Sequence, residues 1–381
     1  MVKRTLAMII AAMHEGGNET RVAITPAAVK RYTKLGFEIL CEHNAGKASG
    51  FNDKEYEAAG AEMVKDKNIL LQHATILLCV NEPSPQELKG LAPESLLIAP
   101  IDGDAQSALI IWCLKQRISV FSMNHIPRIS RAQSMDSLSS QANLAGYRAV
   151  LEGATHFNRA LPMMMTAAGM IQPAKVLVLG AGVAGLQAIA TAKRLGAVVY
   201  AFDVRTAVKE QVESLGAEFI EVSQAQDAET SAGYAGEVSD EYRHLQAQLI
   251  DQYARLADII ICTALIPGKK APVLLKAETV ERMKPGSVIV DLATSRGGNC
   301  ELSERDAIIR HNSITIVGYS NMAGLIPATA SELYANNLVH LVQTFTAPDS
   351  ALSFNEEDEI IRQGLLCHDG QYLPFHFVKE H

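Results

Sequence analysis

The stretch KVLVLGAGVAGLQAIATAKRLGAVVYAFDVR, residues 175–205, decides the fold. It opens with an apolar strand pattern, breaks at Gly180-x-Gly182-x-x-Gly185, and continues as an Ala-rich helix pattern into a second apolar strand. Asp203 stands at the end of that second strand. Strand, glycine turn, helix, strand and acid in this order are the context in which such glycines mark a dinucleotide site. The first glycine makes the tight turn, the second lets the backbone approach a pyrophosphate, and the third lets helix and strand pack closely. Free amides at the helix N-terminus favour phosphate oxygens. The Asp203 carboxylate can accept hydrogen bonds from an adenosine ribose and repels a 2′-phosphate, so NAD(H) is expected in preference to NADP(H). Arg205 is the feature that argues the other way, because a nearby arginine accommodates the extra phosphate. The alternative reading, a glycine-rich turn without chemistry, leaves the acid and its spacing unexplained.

Working outward, strands are expected at Val176–Leu179, Val198–Ala201, Glu218–Val222, Ile259–Thr263, Val288–Leu292 and Thr315–Gly318, the six of a doubly wound domain. The first third of the chain repeats the α/β alternation, with a first strand near the N-terminus and further strands at Phe37–Cys41, Ile76–Val80, Leu96–Ala99 and Val120–Met123. Thr25-Pro26 reads as a helix start and Gly36 as its stop. One long helix is expected from Ser134 to Phe157, weakened locally by Gly146 and Gly153. Thr329-Ala330-Ser331-Glu332 reads as a capping box opening a helix with Leu333, Leu338, Leu341, Val342 and Phe345 on one side. That helix and the tail are too small for a domain and are expected to return to the first. The fold class is therefore α/β, with two Rossmann-like doubly wound parallel-sheet domains. The first, discontinuous in sequence, takes residues 1–138 with 328–381, and the nucleotide-binding second takes 139–327.

Composition narrows the functional classes. The chain has 381 residues, of which 48% are hydrophobic, enough for sizeable cores. A formal charge of −8 without a long basic run excludes a phosphate-backbone reader, so no nucleic acid is expected. The six cysteines are scattered and lack metal-ligand spacing, so they read as small buried hydrophobes of a reducing compartment, with no metal. Lys3, Arg4 and the apolar residues Leu6–Met13 imitate a signal peptide but read better as a first strand. No run of about 18 apolar residues occurs, so no direct bilayer insertion is expected. The acidic run Glu356–Glu359 reads as a solvated turn or helix start. Met163-Met164-Met165 reads as core filling between domains, and Tyr234 as part of a mobile glycine-containing loop.

The segment HIPRISRAQSMD, residues 125–136, is polar and falls where the first domain hands over to the second. Arg128, Gln133 and Asp136 offer donors and acceptors suited to a carboxamide, the group on a nicotinamide ring. From spacing alone an interdomain linker with a helix cap is the plainer reading. The run PRISRAQSMDSLSSQANLAGYRAV at 127–150 resembles the signature of the NAD(H)-binding domain of proton-translocating transhydrogenases. NETRVAITP at 18–26, TALIPGKKAP at 263–272, KPGSVIVDLA at 284–293 and GGNC at 297–300 resemble the same family, in order. The resemblance implies two Rossmann-like domains per chain and a homodimer. It places Arg128, Gln133 and Asp136 where the nicotinamide is positioned, Ser139 near the ring and Tyr147 on a mobile contact. The expected cofactor-binding set is Ser139, Gly180, Gly182, Val183, Ala184, Gly185, Asp203, Val204, Arg205, Ala264 and Leu265.

The family resemblance also implies partners. NADP(H) would sit on a partner component, and separate membrane-spanning subunits would couple hydride transfer to proton movement. The chain's end at Val378–His381 is similar to the split arrangement, in which this component is cytoplasmic and peripheral at the inner membrane. The competing reading is an enzyme of the alanine dehydrogenase type, which needs a lysine and a histidine beside its acid substrate. That family's lysine lies in a Lys-Glu-Pro run, which here reads Asn81-Glu82-Pro83, and its histidine position falls in Ala99-Pro100-Ile101-Asp102. His125 is the remaining candidate base, and a structural histidine is the plainer reading of it. A third class, a non-catalytic NAD sensor, would leave the Arg128–Asp136 loop without a task.

Overall fold

A computed structural model of the chain describes residues 8–222, 239–266, 269–345, 352–355 and 357–373. Tyr234, Lys3, Arg4 and Glu356, singled out above, lie outside these residues. The chain forms two compact units, Met1–Gln141 with Ile326–His381, and Ala142–Leu325.

The first unit starts with β1 (Ile9–Ala12), α1 (Pro26–Lys34), β2 (Glu38–Glu42), α2 (Asp53–Ala59) and β3 (Glu62–Val64). It continues with α3 (Lys67–His73), β4 (Ile76–Leu78), β5 (Leu96–Ala99), α4 (Ala108–Gln116) and β6 (Ser119–Ser122). These six strands are parallel, in the order β3-β2-β1-β4-β5-β6. Alternate residues along each strand feed different cores: Ile10, Ile76 and Ile98 join one cluster, and Ala11, Leu77 and Leu97 the other. A parallel sheet buried on both faces reads as a continuous apolar run, which is why β4 and β5 were legible without alternation. Thr25 caps α1 by accepting from the Ala28 amide, with Pro26 in the first turn. Gly36 follows at a φ of 90°, as the stop signal requires.

The boundary between units falls inside α5 (Ser137–His156). Its start is later than the sequence suggested, because residues Ser130–Met135 form a 3-10 turn first. Gly146 and Gly153 turn out to be packing glycines: a methyl at Gly146 would overlap the Ala184 backbone, and one at Gly153 would press on Ile259. Next comes a hairpin, β7 (Met164–Thr166) and β8 (Gly169–Ile171), whose residues are all exposed. Met163 is 61% and Met165 79% exposed, so the expectation of core filling is overturned. The hairpin forms its own two-stranded sheet and offers those side chains nothing to pack against.

The second sheet is built from β9 (Lys175–Leu179), α6 (Val183–Arg194), β10 (Val198–Phe202), α7 (Lys209–Ser214), β11 (Glu218–Phe219), α8 (Asp240–Ala254) and β12 (Ile259–Cys262), followed by α9 (Ala277–Glu281), β13 (Val288–Asp291), β14 (Ile308–His311) and β15 (Ile314–Val317). Its order is β11-β10-β9-β12-β13-β15-β14, with all neighbours parallel except β14, an antiparallel edge not anticipated from sequence.

The chain then returns to the first unit through α10 (Pro327–Thr344), α11 (Glu359–Gly364), β16 (Leu365–His368) and β17 (Gln371–Tyr372). β16 pairs antiparallel with β6, and β17 with β16, extending the first sheet to eight strands. The capping box does not form. The N-cap of α10 is Ile326, without a side-chain bond, and Ser331 is buried, taking the Val22 amide at 3.0 Å and lying 2.8 Å from the Ser49 hydroxyl. Leu333 is exposed, whereas Leu338, Leu341, Val342 and Phe345 join the core. All six cysteines are buried free thiols. No helix among the described residues is long and apolar enough to cross a membrane.

Two buried tyrosines beside β1 give opposite expectations. Tyr56 donates to the Ile24 carbonyl at 2.7 Å, while the Tyr32 hydroxyl is buried without a hydrogen-bond partner. Tyr32→Phe should therefore raise stability by about 1–2 kcal/mol and Tyr56→Phe lower it by about 1 kcal/mol, as read from urea denaturation midpoints.

Candidate functional site

In the second sheet β10 lies on one side of β9 and β12 on the other, so the connections leave β9 in opposite directions. The carboxyl edge at such a switch point is where doubly wound domains hold ligands. Gly180, directly after β9, has a φ of 100°, a region that favours glycine. The Thr263 hydroxyl, just past β12, donates to the Gly180 carbonyl at 2.8 Å. A methyl on Gly185 would overlap that same carbonyl, so the close start of α6 depends on the missing side chain. Gly182 differs: it is the N-cap of α6 at a φ of −74°, and an added methyl would come no nearer than 3.8 Å to Arg205. Protein packing therefore does not require a glycine at 182, whereas close approach of a pyrophosphate to the backbone does. This is the test of fit for a dinucleotide, and the turn passes it.

Beyond β10, Asp203 is 8% exposed and its carboxylate is fully engaged. Its Oδ2 accepts from the Ala181 amide at 2.7 Å and from Arg205 Nη2 at 2.8 Å; its Oδ1 accepts from the Arg205 amide and from Arg205 Nε, both at 2.9 Å. Val183 and Leu265 are exposed at the same edge, and Val204 and Ala264 are half-buried. Sequence reasoning missed what fixes Ala264. Asn299, fully buried, accepts from the Ala264 amide at 3.0 Å and donates to the Ala264 and Pro272 carbonyls at 2.8 Å. The buried Asp291 at the end of β13 in turn accepts from the Asn299 and Cys300 amides and the Ser303 hydroxyl at 2.8–3.0 Å. The available signal was the acid closing the apolar run VIVD, a polar residue where a buried strand ends.

The Arg128–Asp136 loop belongs to the first unit. Arg128 and Gln133 are exposed and Asp136 is half-buried. Asp136 caps α5, accepting from the Ser139 amide at 2.9 Å and from the Ser139 hydroxyl at 2.5 Å. The capping part of the plainer reading is thus real, and Ser139 shares it. The loop is anchored by Asn337 on α10, which donates to the Ser134 carbonyl at 2.8 Å, and by Arg131, which makes paired bonds of 2.8 and 2.6 Å to Asp358. The Arg131 guanidinium holds the Asp358 carboxyl below the usual range. His125 Nε2 lies 3.1 Å from the Asp102 carbonyl, and burial lowers its pKa, which suits a structural histidine. Tyr147 on α5 is exposed.

A second electrostatic cluster in this unit was not anticipated. Glu15, 5% exposed, accepts from the Val80 amide at 2.6 Å and the Asn81 amide at 3.3 Å. Burial raises its pKa to about 7 against the usual 4.5. Neighbouring Glu19 is lowered to about 2, because its bonds and charge pairing with Arg21 outweigh burial. The Asn81 side chain donates to Glu19 at 3.0 Å. Among the described residues no group of three or more His, Cys, Asp or Glu is arranged to hold a metal ion.

These two sheets and the glycine turn match known domains along nearly the whole chain. The pattern described as Alanine dehydrogenase/PNT, N-terminal domain covers residues 13–145, and Alanine dehydrogenase/PNT, C-terminal domain covers 149–374. The chain belongs to the alanine dehydrogenase/PNT family. Within it, the chain is a transhydrogenase alpha-subunit homologue. It is 46% identical over 360 residues to an NAD(P) transhydrogenase subunit alpha chain of Rhodospirillum rubrum, spanning 92% of this chain and 94% of that one. The crystal structure of transhydrogenase from Sinorhizobium meliloti superimposes with a TM-score of 0.87 at 46% identity, covering 96% of this chain and 99% of that chain. Alanine dehydrogenase of Mycolicibacterium smegmatis is more distant, 29% identical over 379 residues, 95% of this chain and 94% of that one. The α/β fold and the transhydrogenase resemblance are therefore established.

Two expectations follow from the geometry. Gly185→Ala should cost about 1–3 kcal/mol of stability through overpacking. Gly182→Ala should melt as the parent does yet bind dinucleotide at least roughly tenfold more weakly, about 1.4 kcal/mol; melting curves and fluorescence titration separate the two. For Glu15 the folded chain keeps its proton up to about pH 7 while the unfolded chain releases it near 4.5. Its contribution is complete below pH 4.5 and is lost as pH rises through 7, by up to about 3 kcal/mol. Glu15→Gln should flatten that part of the stability profile.

Proposed function

We propose that this chain is the NAD(H)-binding component of a proton-translocating NAD(P) transhydrogenase. It presents NADH for direct hydride transfer to NADP⁺ held on a partner component, and separate membrane-spanning subunits couple the transfer to proton movement. The carrying observation is that an NAD-type glycine turn ending in Asp203 and the polar Arg128–Asp136 loop occur in one chain 46% identical to a transhydrogenase alpha-subunit chain of nearly the same extent. On this reading it works as a homodimer in the cytoplasm, peripheral at the inner membrane through its partners.

The bound nicotinamide supplies the hydride, so the protein needs no metal, nucleophile or general acid for that step. The amides of Gly182, Val183 and Ala184 at the start of α6 receive the pyrophosphate, with Gly180 and Gly185 keeping the turn tight. Asp203, Val204 and Arg205 take the adenosine side, and Ala264 and Leu265, set by Asn299, bound the crevice. Arg128, Gln133, Asp136 and Ser139 orient the carboxamide and ribose, so that the reacting carbon meets its acceptor in a near-attack arrangement. Support against an acid dehydrogenase comes from the Glu15–Arg21 cluster. The arginine there is bonded to Glu19, and Asn81 stands in place of the lysine and is bonded to Glu19 as well.

The assay mixes the purified chain with a transhydrogenase NADP-binding component, NADH and NADP⁺. Hydride exchange is expected, whereas turnover of alanine or pyruvate by the chain alone would favour the dehydrogenase. Arg128→Ala should slow transfer by roughly 10²-fold, the scale of a misaligned reactant, while NADH affinity changes only a few-fold. Lost binding with unchanged transfer per bound NADH would remove the positioning role.

A further inference from the structure

We propose that Arg21 is a positioning residue for hydride transfer: acting through Gln141, it fixes the first turn of α5 and with it the aim of Ser139 and of the Arg128–Asp136 loop. The inference rests on the transhydrogenase reading above.

A guanidinium joined to a carboxylate by two parallel bonds cannot turn in its plane, so the direction of its remaining donors is set. Arg21 is held in this way. Its Nε and Nη2 each reach a Glu19 carboxylate oxygen at 2.8 Å, and the two side chains are only 13% and 4% exposed. Glu19 is itself tied down, accepting from the Thr20 and Arg21 amides at 3.1 and 2.9 Å and from the side chain of Asn81, beyond β4. The third direction of the fork, Nη1, reaches α5 and donates to Gln141 Oε1 at 2.9 Å.

The Gln141 amide is engaged at both ends. Its oxygen must face Arg21, which can only donate, and its nitrogen donates to the Ala330 carbonyl of α10 at 3.1 Å. Gln141 stands two residues after Ser139, whose amide and hydroxyl are bonded to Asp136. It directly follows Ser140, whose hydroxyl donates to Asn337 Oδ1 at 2.8 Å, and Asn337 in turn donates to the Ser134 carbonyl inside the loop. The first turn of α5 is thus referenced on one side to α10 and on the other, through Arg21 and Glu19, to the carboxyl edge of the first sheet. Starting the helix does not require the Arg21 contact, because Asp136 already caps it. What the contact adds is a fixed rotation of the turn that carries Ser139. Hydride transfer is far more sensitive than binding to small displacements of the groups that aim the ring.

The test uses the full chain with a transhydrogenase NADP-binding component and reads the single-turnover hydride-transfer rate at saturating NADH, beside NADH affinity by titration. Gln141→Met keeps the length of the side chain and removes its bonds. It should slow transfer by roughly tenfold or more while NADH affinity stays within about threefold of the parent. Gln141→Glu still accepts from Arg21 but no longer donates to Ala330, and should transfer within about threefold of the parent. Arg21→Gln should be slow as well, and combining it with Gln141→Met should be no slower than the slower single variant, as expected of residues acting in series. A parental rate in Gln141→Met overturns the inference, as does an effect confined to NADH affinity. So does Gln141→Glu as slow as Gln141→Met, which would make α10 the anchor that matters, or slowing that multiplies in the double variant. Should Arg21→Gln fail to fold, the two Gln141 variants carry the comparison. Absence of hydride exchange in the parent defeats the transhydrogenase reading itself, an outcome distinct from exchange that the Gln141 variants leave unmoved.

Discussion

Between Gly185 and the Gly180 carbonyl there is no space for even a methyl group, and the Thr263 hydroxyl closes on that carbonyl from the neighbouring strand. This three-way contact brings α6 against β9 and β12 at the one place where the sheet order reverses. The helix amides then face the carboxyl edge, the β10 loop folds back to lay Asp203 against the Ala181 amide, and the Asn299 clamp sets Ala264 opposite. Loosening the turn would release Asp203 from the Ala181 amide and Thr263, next to Ala264, from the Gly180 carbonyl.

The first unit organises its polar groups differently. Its carboxylates are divided by environment: Glu19 is held ionised by Arg21, while Glu15, close by, is kept protonated to near neutrality by burial. In the loop Arg131 is tied to Asp358, and Arg128 is exposed. Asp136 serves α5 as its cap, so a residue proposed to touch a cofactor also fixes the helix on which Ser139 sits.

The strands that the sequence revealed were those buried on both faces, where continuous apolar runs leave little ambiguity: β5 was read to the residue, and β9, β12 and β13 to within one. What escaped were short edge elements. β3 has only Val64 fully buried, β14 alternates between exposed and half-buried, and β16 and β17 take their place by pairing rather than by pattern. Local motifs misled where tertiary contacts overrode them: Thr329 to Glu332 fits a capping box, but α10 starts at Pro327 and Ser331 bonds to Val22 and Ser49. Of the candidate site, Gly180 and Gly185 were readable because the turn demands them, and Gly182 and Asp203 from their spacing around that turn. Asn299 was not, since a buried asparagine's importance lies in its partners. The methionines after Pro162 misled for a related reason: apolarity was visible, but whether anything covers it was not.

The route of the polypeptide has a temporal consequence. Tyr334, Leu338 and Val342 of α10 lie in the same core as Ile10 and Ile76, so the first-made third of the chain lacks part of its interior until the last fifth has been synthesised. Ala142–Leu325, by contrast, is one continuous segment of the chain. During translation the middle of the chain can complete its packing while the N-terminal sheet waits, which leaves an incomplete apolar surface for chaperones to guard and reverses the usual order in which domains mature.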